Sequence, residues 1–463
     1  MNSSLKKFDM KKIFFALLVF TFHFSPFTKV AGQTFPTITQ FELPNKLKVY
    51  LIPFGNIEAT QVTLYINVGK KNEIPGQQYY SQIVANSLGL GCEKYSRDSL
   101  QDELFKMGTG MSAISNENFT TISSMFLTSE LDHGMDIFSS VITKPLFPDE
   151  DLKQEISQLV DFNNLDKLDI SQQAAVFSDF WIYGGENPLG RYFYKDQLIK
   201  ITPAVLKEFY SFNYTPGNSR LVLCGKFDAT QVKLLVEKYF ASWNAPYGEA
   251  NGVNFSELPI KKKEIGFVNR NGATQAALQW NKIGPEPFTH DADLFRLANF
   301  TFNQILFKEI REHGGKTYGI RSSYDQTSGS PVFSVTTQVR VEETMNTIKL
   351  FDKVLQDFYN NGITETQLKN AKTNFRKSIT GIDNPSSMTA FFNPLLYSNS
   401  ELRKNYLSLL DKVTIEEINK MIKKYFTPDS YKLMISGNES DVSKQFLDWN
   451  SVKKFTSSDL IGL

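Results

Sequence analysis

The strongest constraint on this chain of 463 residues is that one pattern occurs in it twice. Windows 198–225 and 410–437 align without a gap, at a constant offset of 212 residues. Seven positions are identical: Leu198/Leu410, Lys200/Lys412, Thr202/Thr414, Thr215/Thr427, Pro216/Pro428, Leu221/Leu433 and Gly225/Gly437. Upstream, 59–61 and 273–275 both read Ala-Thr-Gln. A unit of about 200 residues is a whole domain, so we expect two related domains in tandem.

Local patterns predict mixed helices and strands in both halves. Two strand-like stretches surround a turn at 53–56, and helical spacing or capping signals recur in both halves. This order favours an α+β protein with two homologous domains, each a largely antiparallel sheet packed with helices. Helices are predicted at 77–90, at 96–108 with Leu100, Leu104 and Phe105 on one face, at 131–142, at 147–165, after the caps Thr202, Thr364 and Thr414, and at 345–358.

The first 32 residues have the composition of a secretory signal peptide. Lysines at 6, 7, 11 and 12 precede an apolar run over 13–24, and Val30-Ala31-Gly32 suits a cleavage site. The remaining boundaries that we predict are a first domain over 33–245, a polar linker over 246–263 and a second domain over 264–463. A secreted or periplasmic location follows from this interpretation.

Charge and composition limit the partners. Removing residues 1–32 takes away five lysines and one aspartate, which changes the formal net charge from +1 to −3. A net charge of −3 does not indicate a nucleic-acid-binding protein. No second apolar run is long enough to span a membrane. The sequence leaves open whether Cys92 and Cys224 form a disulfide.

Several segments resemble the M16 metallopeptidases, the family of pitrilysin, insulysin and the mitochondrial processing peptidase. Their order and spacing carry the resemblance, which covers nearly the whole chain after the signal and matches its repeat. The segments are Asn45–Val49, Asn187–Arg191, Tyr214–Ser219, Gly225–Asp228 and Tyr239–Trp243. The resemblance implies the two-domain M16 fold and a clam-shell arrangement around a peptide-binding chamber.

The zinc motif of the family is absent from this chain. Active members carry His-x-x-Glu-His on a helix, where two histidines bind zinc and the glutamate acts as a base. By alignment on Leu88–Cys92, the five motif positions are Gln82, Ile83, Val84, Ala85 and Asn86. The place of the third ligand falls on Asp161 or, with a one-residue shift, on Phe162. Since one carboxylate cannot hold zinc unaided, we expect no metal in this chain and a solvated Asp161.

The four histidines offer no replacement site. His23 leaves with the signal, His133 lies on a polar helix face, and His290 and His313 have no partner at ligand spacing. No Gly-x-Ser-x-Gly nucleophile elbow is present either, so an independent hydrolase of another class has little support.

The second domain retains a different part of the family's site. The segment Ile310–Gly319 places Arg311 and Tyr318 seven residues apart. The resemblance implies that this pair hydrogen-bonds the substrate backbone and the oxyanion at a zinc centre. A structural alternative stays open, because an Arg in the last helical turn complements the helix dipole and a Tyr in a strand often only packs.

Two functions remain as hypotheses. The first is the non-metal, substrate-binding and oxyanion-stabilising subunit of a heteromeric M16 zinc peptidase, whose His-x-x-Glu-His partner supplies zinc and with which it degrades unfolded peptides. It would have no peptidase activity alone. The second is a non-enzymatic peptide-binding or scaffold protein that keeps the fold, since a fold does not fix a function.

Overall fold

Two six-stranded sheets organise the protein. The computed structural model describes residues 36–192, 198–244, 259–315, 317–325, 329–393 and 406–461. The predicted signal peptide and most of the predicted linker lie outside these ranges. The strands are β1 Thr39–Glu42, β2 Lys48–Pro53, β3 Ala59–Ile66, β4 Met111–Ser115, β5 Thr120–Leu127, β6 Ser219–Gly225, β7 Glu264–Asn269, β8 Gln275–Ile283, β9 Thr317–Tyr324, β10 Val332–Arg340, β11 Lys432–Gly437 and β12 Lys453–Phe455.

Five strands of the two sheets share one topology, whereas the sixth differs: β1 is antiparallel to β2, and β12 is parallel to β7. The first has the order β1-β2-β6-β3-β5-β4 and the second β12-β7-β11-β8-β10-β9. In each, a parallel pair (β2 with β6, β7 with β11) is followed by antiparallel neighbours. The predicted α+β class and the internal duplication are therefore confirmed. The strands on either side of the 53–56 turn are not neighbours, because β6 lies between β2 and β3.

Helices cover both sheets. They are α1 Tyr80–Ser87, α2 Arg97–Lys106, α3 Leu131–Thr143, α4 Asp149–Phe162, α5 Ile170–Tyr183, α6 Pro203–Asn213, α7 Ala229–Phe240, α8 His290–Leu306, α9 Thr344–Asn361, α10 Glu365–Thr380, α11 Pro385–Phe391, α12 Tyr406–Lys412, α13 Ile415–Tyr425, α14 Glu439–Val442 and α15 Ser457–Ile461. Within the described ranges, no helix combines the length and the apolar character that a bilayer crossing needs.

Side-chain caps set several helix starts as the sequence predicts. The hydroxyl of Thr202 accepts a bond from the Val205 amide at 3.4 Å, and Pro203 takes the first helical position. Thr414 with Glu417 and Thr364 with Gln367 form complete capping boxes. These contacts satisfy amide donors that the first helical turn leaves unpaired.

Two local predictions are wrong. Helix α1 begins at Tyr80 and not near Gln77, because Tyr79 has left-handed backbone torsions with a φ of 67°. Phe105 does not share the buried face of Leu100 and Leu104, since 84% of its surface is exposed. It lies about 140° around the helix from Leu100, which turns its ring away from the sheet.

The two halves exchange helices. Helix α5, from the first half, packs on β8 and β11 of the second sheet, and α11, from the second half, packs on β3 and β6 of the first. Trp181 of α5 lies 5.3 Å from Phe455, between ring centroids. In the opposite direction, the Tyr65 hydroxyl donates to the Thr389 carbonyl at 3.4 Å. Residues 36–463 consequently form one compact unit.

Candidate functional site

Helix α1 carries the positions at which the zinc motif was expected. Gln82 is half-buried and lines a cavity, whereas Ala85 is only 1% exposed and Asn86 is exposed to solvent. A methyl group cannot act as a base, and two carboxamides lack the imidazole nitrogens that zinc prefers. The side chains at these three positions do not fit a catalytic zinc ion.

The position of the third ligand is on α4, which packs against α1. Asp161 is 69% exposed and forms an ion pair with Lys167 at 2.9 Å. Its neighbour Phe162 is also exposed. Across the described ranges, no group of three or more His, Cys, Asp or Glu side chains is arranged to hold a metal ion.

The remaining histidines and the two cysteines lie outside the predicted zinc-motif positions. The Nε2 atom of His133 lies 2.9 Å from a carboxylate oxygen of Glu103, and His290 is the first residue of α8. The side chain of His313 is outside the described part. Cys92 and Cys224 are both buried and form no disulfide.

A cavity of about 190 Å³ lies beside the N-terminus of α1. Its lining residues come from the segment before α1, the helix itself, the end of β4 and the loop before 191: Lys70, Glu73, Gln78, Tyr79, Ser81, Gln82, Ser115, Asn116, Glu117, Pro188 and Arg191. The cavity therefore opens next to Gln82, the predicted first position of the zinc motif.

Glu73 is the buried acid of this cavity. Its carboxylate accepts bonds from the Tyr79 amide at 2.9 Å, the Ser81 amide at 3.0 Å and the Ser81 hydroxyl at 2.5 Å. Burial raises its pKa to about 7, against the opposing effect of these donors and of Lys70. Sequence reasoning missed Glu73, because a capping side chain is normally adjacent to the helix and this one lies seven residues before α1.

Arg191 lines the cavity next to Glu73. Its guanidinium donates to the carbonyl oxygens of Glu186 at 2.8 Å, Glu73 at 3.3 Å and Gly185 at 3.4 Å. It is the last residue of a segment that carried the family resemblance. The side chain joins the loop before α1 to the chain after α5.

Arg311 and Tyr318 lie on two elements of the second half that contact each other. A π-helical segment, Phe307–His313, continues α8 and contacts β9. The exposed Arg311 places its guanidinium carbon 4.9 Å from the centre of the Phe307 ring. Gly315 follows with a φ of 61°, in the left-handed region. Tyr318 is the second residue of β9, an edge strand, and its side chain is outside the described part.

The six predicted positions thus form two groups. Gln82, Ala85 and Asn86 share one helix, with Asp161 on the helix packed beside it. Arg311 and Tyr318 flank a turn at the edge of the second sheet. The strand predicted at Tyr318 is present as β9, and the predicted helix end is a π-helical segment that runs two residues beyond Arg311.

Comparisons with known families decide the relationship. A family model described as "Insulinase (Peptidase family M16)" matches residues 55–181, and one described as "Peptidase M16 inactive domain" matches residues 200–375. The chain belongs to the M16 peptidase family. The predicted resemblance is thereby confirmed.

Curated M16 relatives match most of this chain at low sequence identity. YmxG of Bacillus subtilis, described as an uncharacterized zinc protease, is 20% identical over 416 residues, which are 86% of this chain and 98% of that protein. An uncharacterized zinc protease of Mycobacterium leprae is 22% identical over 398 residues, or 81% of this chain and 86% of that protein.

Solved structures confirm the M16 fold. The peptidase M16 inactive domain from Pseudomonas fluorescens has a TM-score of 0.78 at 18% identity and covers 87% of this chain and 98% of its own. The periplasmic protease PqqL from Escherichia coli has a TM-score of 0.75 at 17% identity, and the match covers 87% of this chain but 45% of PqqL. These identities support the shared fold alone.

Proposed function

We propose that this chain is the non-metal subunit of a heteromeric M16 zinc peptidase that degrades peptides. The observation that carries the proposal is the composition of α1, where Gln82, Ala85 and Asn86 occupy the positions of two zinc ligands and a base. A chain with this helix needs a His-x-x-Glu-His partner to take part in zinc hydrolysis.

In this proposal, Arg311 and Tyr318 act in the partner's site. A guanidinium and a phenol are both hydrogen-bond donors, which suits them to a substrate carbonyl and to the negative oxygen that forms on it during hydrolysis. Arg311 is exposed, and β9 with Tyr318 is at the edge of its sheet. An edge strand also has unpaired backbone groups with which an extended peptide can pair.

We infer a periplasmic or otherwise secreted location. The N-terminal segment has the charge and apolar pattern of a signal peptide. The structural neighbour PqqL is described as periplasmic. Fractionation of the native host, with detection of the chain beside a periplasmic and a cytoplasmic marker, tests this point.

The function is tested by mixing purified chains. The chains to be mixed with this one are the secreted M16 homologues with His-x-x-Glu-His that the same genome encodes, and the substrate is an unfolded fluorogenic peptide. We expect no hydrolysis and no stoichiometric zinc in this chain alone, and hydrolysis in the mixture that exceeds the activity of the partner by itself.

A second version of the partner gives the control. In it, the glutamate of its motif is replaced by glutamine, and we expect the mixture to become inactive because the base is lost. If the partner alone is as active as the mixture, the proposal is wrong. The scaffold alternative then gains support, particularly if the two chains still form a complex.

A further inference from the structure

The cavity beside α1 has the size of a small molecule. Its volume of about 190 Å³ is close to that of roughly six liquid waters and somewhat larger than engineered cavities that hold benzene. Unlike those cavities, it is lined by four ionisable side chains, although apolar atoms supply more of its wall surface than polar ones. A space of this kind is suited to a small ligand that has charged groups.

Two atoms in the cavity wall have unused hydrogen-bonding capacity. The Oε1 atom of Gln78 and the Oγ atom of Ser115 are buried and have no hydrogen-bond partner within the described chain. Gln78 is only 8% exposed, so more than nine-tenths of it is buried. Buried polar groups in native proteins are nearly always satisfied, which indicates that something absent from the chain itself bonds here.

The cavity wall carries charged groups of both signs. Lys70 donates to the Leu189 carbonyl at 3.3 Å, but neither Lys70 nor Glu117 forms an ion pair with another described residue. Arg191 adds a positive charge, whereas the buried Glu73, with its pKa raised to about 7, is only partly ionised near neutral pH. Both are held by hydrogen bonds of their own. A ligand with a single charge would face repulsion on one side, whereas a zwitterion would find a partner at each end.

We propose that this cavity binds a free α-amino acid. The carboxylate of the ligand is placed at the Lys70 ammonium, and its ammonium at the Glu117 carboxylate and the Gln78 Oε1 atom. The Gln82 carboxamide and the Asn116 Nδ2 group are left to contact a polar side chain of the ligand, since the Asn116 Oδ1 atom already accepts from the Asn118 and Phe119 amides. This site is independent of any zinc partner, so it can be tested on the chain alone.

Calorimetric titration with L-glutamine is the test. N-acetyl-L-glutamine lacks the ammonium, L-glutaminamide lacks the carboxylate, and the dipeptide Gly-L-Gln separates the two charges. We expect binding of L-glutamine and a loss of at least about tenfold in affinity for each derivative. No heat of binding with L-glutamine at about 10 mM, a concentration that still detects weak complexes, would overturn the assignment. Tighter binding of Gly-L-Gln would also overturn it, in favour of a peptide end.

Variants locate the ligand. Lys70→Met and Glu117→Gln should each lower the affinity for L-glutamine by at least about tenfold. The control Lys153→Met removes an exposed lysine on α4 and should leave the affinity unchanged. If all three variants bind L-glutamine equally, the site is elsewhere and the proposal is wrong.

Gln78→Met separates a binding role from a folding role. The substitution keeps the approximate shape and removes the unpaired acceptor, so the melting temperature of the free chain should stay the same or rise. The affinity for L-glutamine should fall. A lower melting temperature with unchanged affinity would show that Gln78 serves the fold and not a ligand.

Discussion

Three side chains on α1 determine which chemistry the first half can perform. The sequence assigns the motif positions by the register of the Leu88–Cys92 segment, and this assignment stays a prediction. Their surroundings could not be predicted, since burial depends on contacts distant in sequence. Ala85 is buried and Asn86 is exposed, although they are adjacent.

Ala85→Glu should destabilise the protein. A carboxylate at this 1% exposed position must displace packed neighbours and lose water, which costs about 1–3 kcal/mol. Asn86→Glu, on the exposed neighbour, is the matched control and should change stability by no more than about 0.5 kcal/mol. Chemical denaturation measures both, and equal effects would contradict the different burial of the two positions.

Glu73 should make stability depend on pH. Its folded pKa is raised to about 7 from an ordinary 4.5, so between these values the folded state holds a proton that the unfolded state has released. The contribution of this group to the free energy of unfolding therefore falls as pH rises through the interval, by about 3 kcal/mol in total.

Glu73→Gln isolates this contribution. The free energy of unfolding of both proteins is measured by denaturation at pH 4.5, 5.5, 6.5 and 7.5. In the difference between the two curves, the contributions of the other carboxyl groups cancel. The variant loses one acceptor, which shifts its curve by a constant amount, while the slope due to Glu73 disappears. Parallel curves for the two proteins would show that Glu73 does not titrate in this range.

At the scale of the elements, capping signals were reliable, whereas the start of α1, the face of Phe105 and the long-range packing of helices were not predicted correctly. Capping residues such as Thr202 and Thr414 predict helix starts because they act within one turn. The exchange of α5 and α11 between the sheets had no local signal. An apolar helix face shows that a helix is buried, but not which sheet covers it.

Trp181→Ala tests the exchange of helices. Trp181 packs on Phe455 of the second half, and removing a buried tryptophan costs about 3–5 kcal/mol. Phe105→Ala removes a ring that is 84% exposed and should cost less than about 0.5 kcal/mol. Denaturant midpoints measure both losses of stability. A small loss for Trp181→Ala would mean that the packing of α5 on the second half contributes little to stability.

At the scale of the whole molecule, the sequence repeat predicts two copies of one sheet topology. It does not predict that the copies depend on each other. Each sheet is covered in part by a helix from the other half, so neither half has a complete core of its own.

Fragments 36–244 and 259–461 should therefore fail to fold separately. Each would expose the surface that normally receives the exchanged helix, so we expect aggregation or a loss of cooperative melting. Co-expression should give a soluble complex of the two. Independent cooperative unfolding of either fragment, seen by calorimetry, would contradict the reciprocal arrangement.

The division of labour between two M16 chains is tested most directly by the rate of the reconstituted peptidase with Arg311→Ala. Removing one donor to a developing oxyanion lowers kcat by about 10²–10³. Lys308→Ala removes an exposed positive charge from the same π-helical segment and is the matched control. The account predicts a large fall in kcat for Arg311→Ala, little change for Lys308→Ala, and undiminished complex formation for both. An unchanged kcat with Arg311→Ala would contradict the role of this chain in catalysis.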